Sequence, residues 1–480
     1  MNLGYEAQAL AAILATVVFL WVTEALPLPV TALLGSVACV IAGVAPAKEV
    51  FRPFAEPIIF LFIGSFMLAE AIRVHGLDRR LAFAVLGIPW VGDRPWRVLA
   101  AVGFVSAVIS GFISNTATTA MMLAIASGIL AAIEHASRLE RERTRDRADT
   151  RLDPRFATGL LLCVPFTASV GGLATPIGTP PNMIGLGFIR SEIGIDISFL
   201  AWCAVGVPVA AALAAVAIAV LAWMFPAGTD RLPGVSAFVA GERARLGTWS
   251  VGQRSTAVAL AATIVLWVLP GVIALVLGQK HPASVWLAAR VPEGVAALIG
   301  AILLFALPGG RRPDGARRAA LDWGEAAGID WGIVLLYGGG MALGELSFST
   351  GLAGALGRSF TAWLPSGPGG AAALVAAACL VGLVTSEFTS NTASANMVVP
   401  VAIALAQASG GDALVAALAA TFAASLGFMM PVSTPCNAIA YGSGRIPLRA
   451  MMKSGALLDI AGVIVITAAM LLLGRLWQAG

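Results

Sequence analysis

Charge is what this sequence has least of. Only 12% of its 480 residues are Asp, Glu, Lys or Arg, while 59% are hydrophobic, and the net charge is +4. So little charge over such a length excludes an ordinary soluble globular protein. Three histidines (His75, His135, His281) fall in segment ends or loops, which argues against a histidine metal centre. The five cysteines, Cys39, Cys163, Cys203, Cys379 and Cys436, are scattered through apolar segments without a C-x-x-C. That spacing excludes a disulfide framework and a zinc site. No basic patch is interleaved with aromatics, so nucleic acid is not an expected partner. No nucleotide-binding motif is present, so ATP is not the expected driving force, and no cofactor is expected. No activated nucleophile, His-carboxylate pair or metal cluster sits in the apolar segments, which argues against an enzyme. The N-terminus carries Glu6 and no basic n-region, so the first apolar run reads as a membrane span and not as a cleaved signal.

What is abundant is apolar sequence in runs of about 20 residues, the length that crosses a bilayer as helix. The fold class expected is an all-α polytopic membrane protein. Spans are expected at 7–22, 28–45 and 55–74, followed by an amphipathic interfacial stretch at 77–96. A hairpin with a polar tip, 97–134, comes next, then a mixed charge run, 138–155, read as a solvated linker or helix. A broken helix, 157–189, and a span at 199–224 complete the first half, 1–225. A polar cytoplasmic linker, 226–254, separates it from the second half, 255–480. That half repeats the plan, with spans at 256–278, 293–307 and 330–347, a hairpin at 371–409, a broken helix at 412–444 and a final span at 454–475.

Two motifs organise this plan. Ser114-Asn115-Thr116 lies in SGFISNTATTAMM and Ser390-Asn391-Thr392 in SEFTSNTASANMV, an offset of 276 residues. Glu70 and Glu345 each precede a Gly-Leu pair by six residues and are offset by 275. Each hairpin is followed by a Pro-rich interruption, Thr175–Asn182 and Pro431–Asn437, where an α-helix cannot continue. The two asparagines that close these interruptions are offset by 255, the charge run at 138–155 accounting for the difference. About five spans plus one re-entrant hairpin per half is an odd number of crossings, which makes the halves inverted repeats. With the N-terminus outside, Lys and Arg divide 23 to 7 in favour of the cytoplasmic segments.

Small polar side chains are expensive inside a bilayer unless they line a wet or protein-packed site. Ser and Thr hydroxyls, Asn amides and freed backbone carbonyls are hard oxygen ligands that suit a desolvated cation such as Na⁺. Hairpin tips and broken helices also present helix N-termini, whose N–H groups suit a carboxylate, sulfate or phosphate. One place thus serves a cation and a small anion, as an ion-coupled anion carrier requires. The blander reading is that Ser, Asn and Thr cap the hairpin helices, and capping and ligation can coexist in the same residues. Glu70 and Glu345 read as structural intramembrane acids paired with Ser, Arg or backbone groups, and Glu387 as a residue that fixes the second hairpin.

The stretches SNTATTAMM, TPIGTPPN, TSEFTSNTASAN and PVSTPCNAIAYGSG, in that order, resemble the divalent anion/sodium symporter family, the sodium-coupled di- and tricarboxylate and sulfate carriers. The resemblance covers nearly the whole chain and is closest at ASLGFMMPVSTPCNAIA, residues 424–440. It departs at Cys436, where many members have a second Pro, and in starting at Trp21 the WVTEALPLPVTALL stretch that an extra span usually precedes. It implies a homodimer in the bacterial inner (plasma) membrane, with scaffold and transport domains and elevator-type alternating access. It implies substrate contacts at Ser114, Asn115, Thr116, Ser390, Asn391, Thr392, Thr434 and Pro435. One Na⁺ site would use Ser110, Ser114, Asn115 and Gly178, the other Ser386, Thr389, Asn391 and Ser433. The activity expected is import of C4-dicarboxylates such as succinate, malate or fumarate by Na⁺ symport. A Na⁺-independent dicarboxylate exchanger or a sulfate or other inorganic oxyanion carrier is the alternative, and a channel belongs to a different class.

Overall fold

The computed structural model describes residues 3–144, 153–311, 315–361 and 369–479. These are nearly all helix, with one short antiparallel β-pair, Pro308–Arg311 with Arg317–Ala319. Among the described residues ten helices are long and apolar enough to cross a membrane, or eleven if the bent pair Pro282–Arg290 and Glu293–Ala306 is one span. The ten are not the spans expected one for one. They include three hairpin arms, Asn115–Glu140, Gly370–Phe388 and Asn391–Ser409, and leave out Leu28–Ile41, which has only 14 residues.

The chain starts with Tyr5–Thr23 and Leu28–Ile41, separated by a turn in which Glu24 is left-handed (φ 48°) and Pro27 precedes the second helix. Pro57–His75 follows and stops at Gly76, whose φ of 63° ends the helix in the usual way for glycine. The expected interfacial stretch contains a helix, Leu77–Leu86. The segment read as a polar linker holds a further helix, Val235–Leu246, packed against Leu77–Leu86. Glu242 on it is buried and pairs with Arg79 and Arg245. Asp93 accepts from the Ser236 amide and hydroxyl, at 3.1 and 2.6 Å. The linker is therefore docked, and its sequence hid this because its partners lie some 150 residues earlier. Residues 145–152 of the charge run fall outside the described residues; Asp153 near its end accepts from the Arg155 amide and caps the helix Pro154–Gly171.

The two hairpins are Pro95–Ser110 with Asn115–Thr144, and Gly370–Phe388 with Asn391–Ser409. The broken helices are Pro154–Gly171 with Pro180–Phe188, and Ala413–Ala423 with Pro435–Gly442. Proline occupies the first position of each second segment, where its missing N–H costs nothing. Each hairpin packs on its own break, and each break's second segment packs on the other half's hairpin. The closing spans, Phe199–Met224 and Leu448–Ala479, back the two breaks with a glycine apiece. A Cβ on Gly206 would stand 2.5 Å from the Leu173 carbonyl oxygen, and one on Gly455 2.3 Å from that of Phe428. Only glycine admits so close an approach of backbone to backbone. Pro154–Gly171 is almost wholly buried inside protein, whereas Val251–Leu277 exposes Val258, Val265, Leu275 and Val276 on its apolar outer surface.

Candidate functional site

The first tip forms because Pro95–Ser110 stops at Gly111 and a new helix opens at Asn115. The Ala117 amide donates to Ser114 Oγ at 3.3 Å, a helix cap. Buried Ser110 donates to Asn115 Oδ1 at 2.6 Å. The tip is tied to the break by Thr175, whose hydroxyl donates to the Gly111 carbonyl. Asn182 closes the break by donating both amide hydrogens across it, to the carbonyls of Gly172 and Thr175, each at 2.8 Å. A Cβ on Gly172 would stand 2.5 Å from Asn115 Oδ1 and 3.2 Å from the Gly178 carbonyl oxygen. Two hard oxygens thus converge beside a glycine, with Ser110 behind them, a donor set that fits a small monovalent cation.

The second tip repeats the plan. The Ala393 amide donates to Ser390 Oγ at 3.1 Å. The Ser386 hydroxyl lies 2.8 Å from Asn391 Oδ1, and 2.8 and 2.6 Å from the carbonyls of Ala424 and Leu426. Asn437 donates across its break to the carbonyls of Gly427 and Met430, at 3.1 and 3.0 Å. These acceptors lie ten and seven residues before the donor, the same spacing as for Asn182. The second tip adds Glu387, which accepts from the Met429 amide at 2.8 Å and from Ser433 Oγ at 2.6 Å. Asp459 is buried beside it. The Thr389 hydroxyl turns back to the Thr385 carbonyl at 2.8 Å.

Both tips and both breaks border one cavity of about 660 Å³. All eight residues expected to touch substrate line it, together with Gly178. Ser110, Ser386, Thr389 and Ser433 do not; they are buried behind the wall. Among the described residues no Lys, Arg or His lines the cavity. Its one charged lining group is Asp330, which caps Trp331–Ser349 by accepting from the Ile333 amide at 3.3 Å. Leu28, Pro29, Phe66 and Leu336 complete that side. Sequence reasoning passed over Gly172, Thr179, Ser169 and Asp330. Thr179 could have been found, since Thr179-Pro180-Pro181-Asn182 mirrors Thr434-Pro435-Cys436-Asn437; the others show only in three dimensions.

A second cavity of about 590 Å³ has charged residues on its wall, among them Glu49, Arg52, Glu56, Arg190, Glu192 and Glu345. Arg52 meets Glu345 across it at 2.8 Å, and burial pushes the Glu192 carboxyl up to about 7. Glu70 likewise pairs, with Arg73 one turn on at 2.9 Å. Both intramembrane acids are therefore held by arginines.

Known proteins resemble this chain in sequence and in fold. The family described as the sodium:sulfate symporter transmembrane region matches residues 2–479. A sodium-dependent dicarboxylate transporter of Staphylococcus saprophyticus is 30% identical over 97% of this chain and 86% of its own length. One of Staphylococcus aureus is 29% identical over 97% of this chain and 85% of its own. Two solved structures share the fold at 13% identity. The YdaH transporter of Alcanivorax borkumensis has a TM-score of 0.57 over 90% of this chain and 87% of its own. MtrF of Neisseria gonorrhoeae has 0.55 over 88% and 82%. With polar tips, Pro-capped breaks and a match from end to end, this integral membrane protein is a transporter and not an enzyme, and it belongs to the sodium:sulfate symporter family that its motifs resemble.

Proposed function

We propose that the chain is a secondary active transporter that imports C4-dicarboxylates by Na⁺ symport across a bacterial plasma membrane. One observation carries the reading: a cavity bordered by two Ser-Asn-Thr tips and two Pro-capped helix N-termini, with no basic side chain on its wall among the described residues. Helix N-termini and hydroxyls attract carboxylates. A dianion in a low-dielectric site still needs positive charge nearby, and here none is built in. Na⁺ at Ser110, Ser114, Asn115 and Gly178, and at Ser386, Thr389, Asn391 and Ser433, would supply it. Ser114, Asn115, Thr116, Ser390, Asn391, Thr392, Thr434 and Pro435 would hold the two carboxylates. The names of the Staphylococcus relatives favour a dicarboxylate and sodium dependence.

The paired Ser-to-Asn bonds and the repeated spacing across the breaks support two inverted repeats, 1–225 and 255–480. In an elevator movement the tips and breaks travel together past the wall formed by Leu28, Pro29, Phe66 and Asp330, in each protomer of a homodimer. Uptake of labelled succinate into proteoliposomes is the test. The expected result is uptake that follows an imposed inward Na⁺ gradient and needs no internal dicarboxylate. Uptake only against internal dicarboxylate, without Na⁺, would make the protein an exchanger. Flux of labelled sulfate with no succinate uptake would make it an oxyanion carrier.

A further inference from the structure

The two halves give the cavity matching tips but unlike flanks. Where Pro435–Gly442 meets the first half, Cys436 lies among the hydroxyls of Thr119, Ser169 and Thr116. Ser169, Thr116 and Cys436 line the cavity, and Thr119 stands buried behind them. The hydroxyls of Ser169 and Thr119 are both buried, and among the described residues no protein group other than the weakly bonding Cys436 thiol is offered to either. The mirror positions follow from the offsets of 276 for the tips and 255 for the breaks. Thr119 corresponds to Ala395, Ser169 to Ala424 and Cys436 to Pro181. All three are buried and none of their side chains can hydrogen-bond. At these three mirrored positions one flank thus has two hydroxyls and a thiol with hydrogen-bonding capacity to spare, and the other has only hydrocarbon side chains.

Buried hydroxyls without partners lose stability until something satisfies them. Cys436 adds to this flank twice. Its side chain is a weak donor and acceptor, and its backbone keeps an N–H at the second helical position, where Pro181 has none. A substrate alike at both ends, such as succinate, has nothing to offer one flank that it does not offer the other. A C4-dicarboxylate with a hydroxyl beside one carboxylate does.

We infer that Ser169, Thr119 and Cys436 form a subsite that reads a hydroxyl on the carbon chain of the substrate, so that the transporter prefers 2-hydroxy C4-dicarboxylates to unsubstituted ones and discriminates between their enantiomers. This rests on the dicarboxylate reading above and adds to it the orientation of the substrate. The anchor for the carboxylates stays with the tips; the subsite selects among molecules that carry them.

The test is calorimetric titration of the purified full-length protein at fixed saturating Na⁺ with succinate, L-malate and D-malate. One well-placed hydrogen bond to an otherwise unsatisfied group changes affinity by about 5- to 10-fold. The expected result is that one malate enantiomer binds tighter than succinate by about that factor and tighter than its mirror image. The variant T119A/S169A/C436P gives each position the residue its mirror already accommodates, and it should bring the malate-to-succinate ratio close to one. Should that protein not fold, Ser169→Ala alone is expected to lower the ratio about threefold. Equal binding of all three ligands by the native protein, or a preference that survives Ser169→Ala and the triple variant, overturns the subsite and leaves the dicarboxylate reading standing. Absence of binding by all three overturns both.

Discussion

The two tips carry the same serine-to-asparagine hydrogen bond but are fastened by different chemistry. Thr175 holds the first through a neutral bond to the Gly111 carbonyl. The second is held by Glu387, whose carboxylate gathers the Met429 amide and the Ser433 hydroxyl. Gly111 stands 276 residues before Glu387, at the mirror position. Hydrogen bonds to a charged acceptor are worth about 1.5–3 kcal/mol, roughly twice a neutral one. Burying that carboxylate offsets much of the gain, and Asp459 beside it adds a second buried acid. Two tips can thus keep the same geometry while the forces that maintain it differ.

The largest effects should fall on what the tips share. Asn115→Ala and Asn391→Ala each remove an amide that can serve cation and anion together, and each should reduce succinate uptake about 100-fold with expression maintained. Uptake assays in proteoliposomes check this, and a severe loss at one tip only would break the equivalence. Next comes what they do not share. Glu387→Ala leaves a buried amide and hydroxyl without an acceptor and should lower apparent stability by about 3 kcal/mol, against about 1 kcal/mol for Thr175→Val. Thermal unfolding in detergent compares the two; equal losses would mean the tips are fastened alike.

The smallest effect lies away from both tips and sharpens the comparison by calibrating it. The folded-state value of Glu192, about 7, stands above its ordinary 4.5, so the unfolded chain releases this proton first. Its contribution is most favourable below pH 4.5 and is lost as pH rises towards 7. Glu192→Gln should flatten the fall in unfolding temperature over that window. An unchanged slope would assign it to other groups.

The tips and breaks were legible because proline, glycine and asparagine interrupt apolar runs, and local chemistry of that kind is written in consecutive residues. Cys436 stood out through the family resemblance, as a departure where many members have a second Pro. Glu387 announced itself as a charge beside a tip, but its partners, 42 and 46 residues away, did not. Asp330 and Gly172 reach the site only through packing between distant elements. The docked helix Val235–Leu246 was hidden by composition, since a largely polar stretch that folds onto a distant amphipathic helix looks like a linker.

The bare wall of the cavity bears on release. A carrier that gripped its dianion with a fixed arginine would keep the same affinity on both faces of the membrane and would have to be prised open. Here, under the proposed function, the positive charge arrives with the cargo and departs with it. Affinity then belongs to the solution as much as to the protein. It is high where Na⁺ is plentiful and fades where Na⁺ is scarce. The direction of transport is therefore set by the ion gradient and needs no difference between the outward and inward forms of the site.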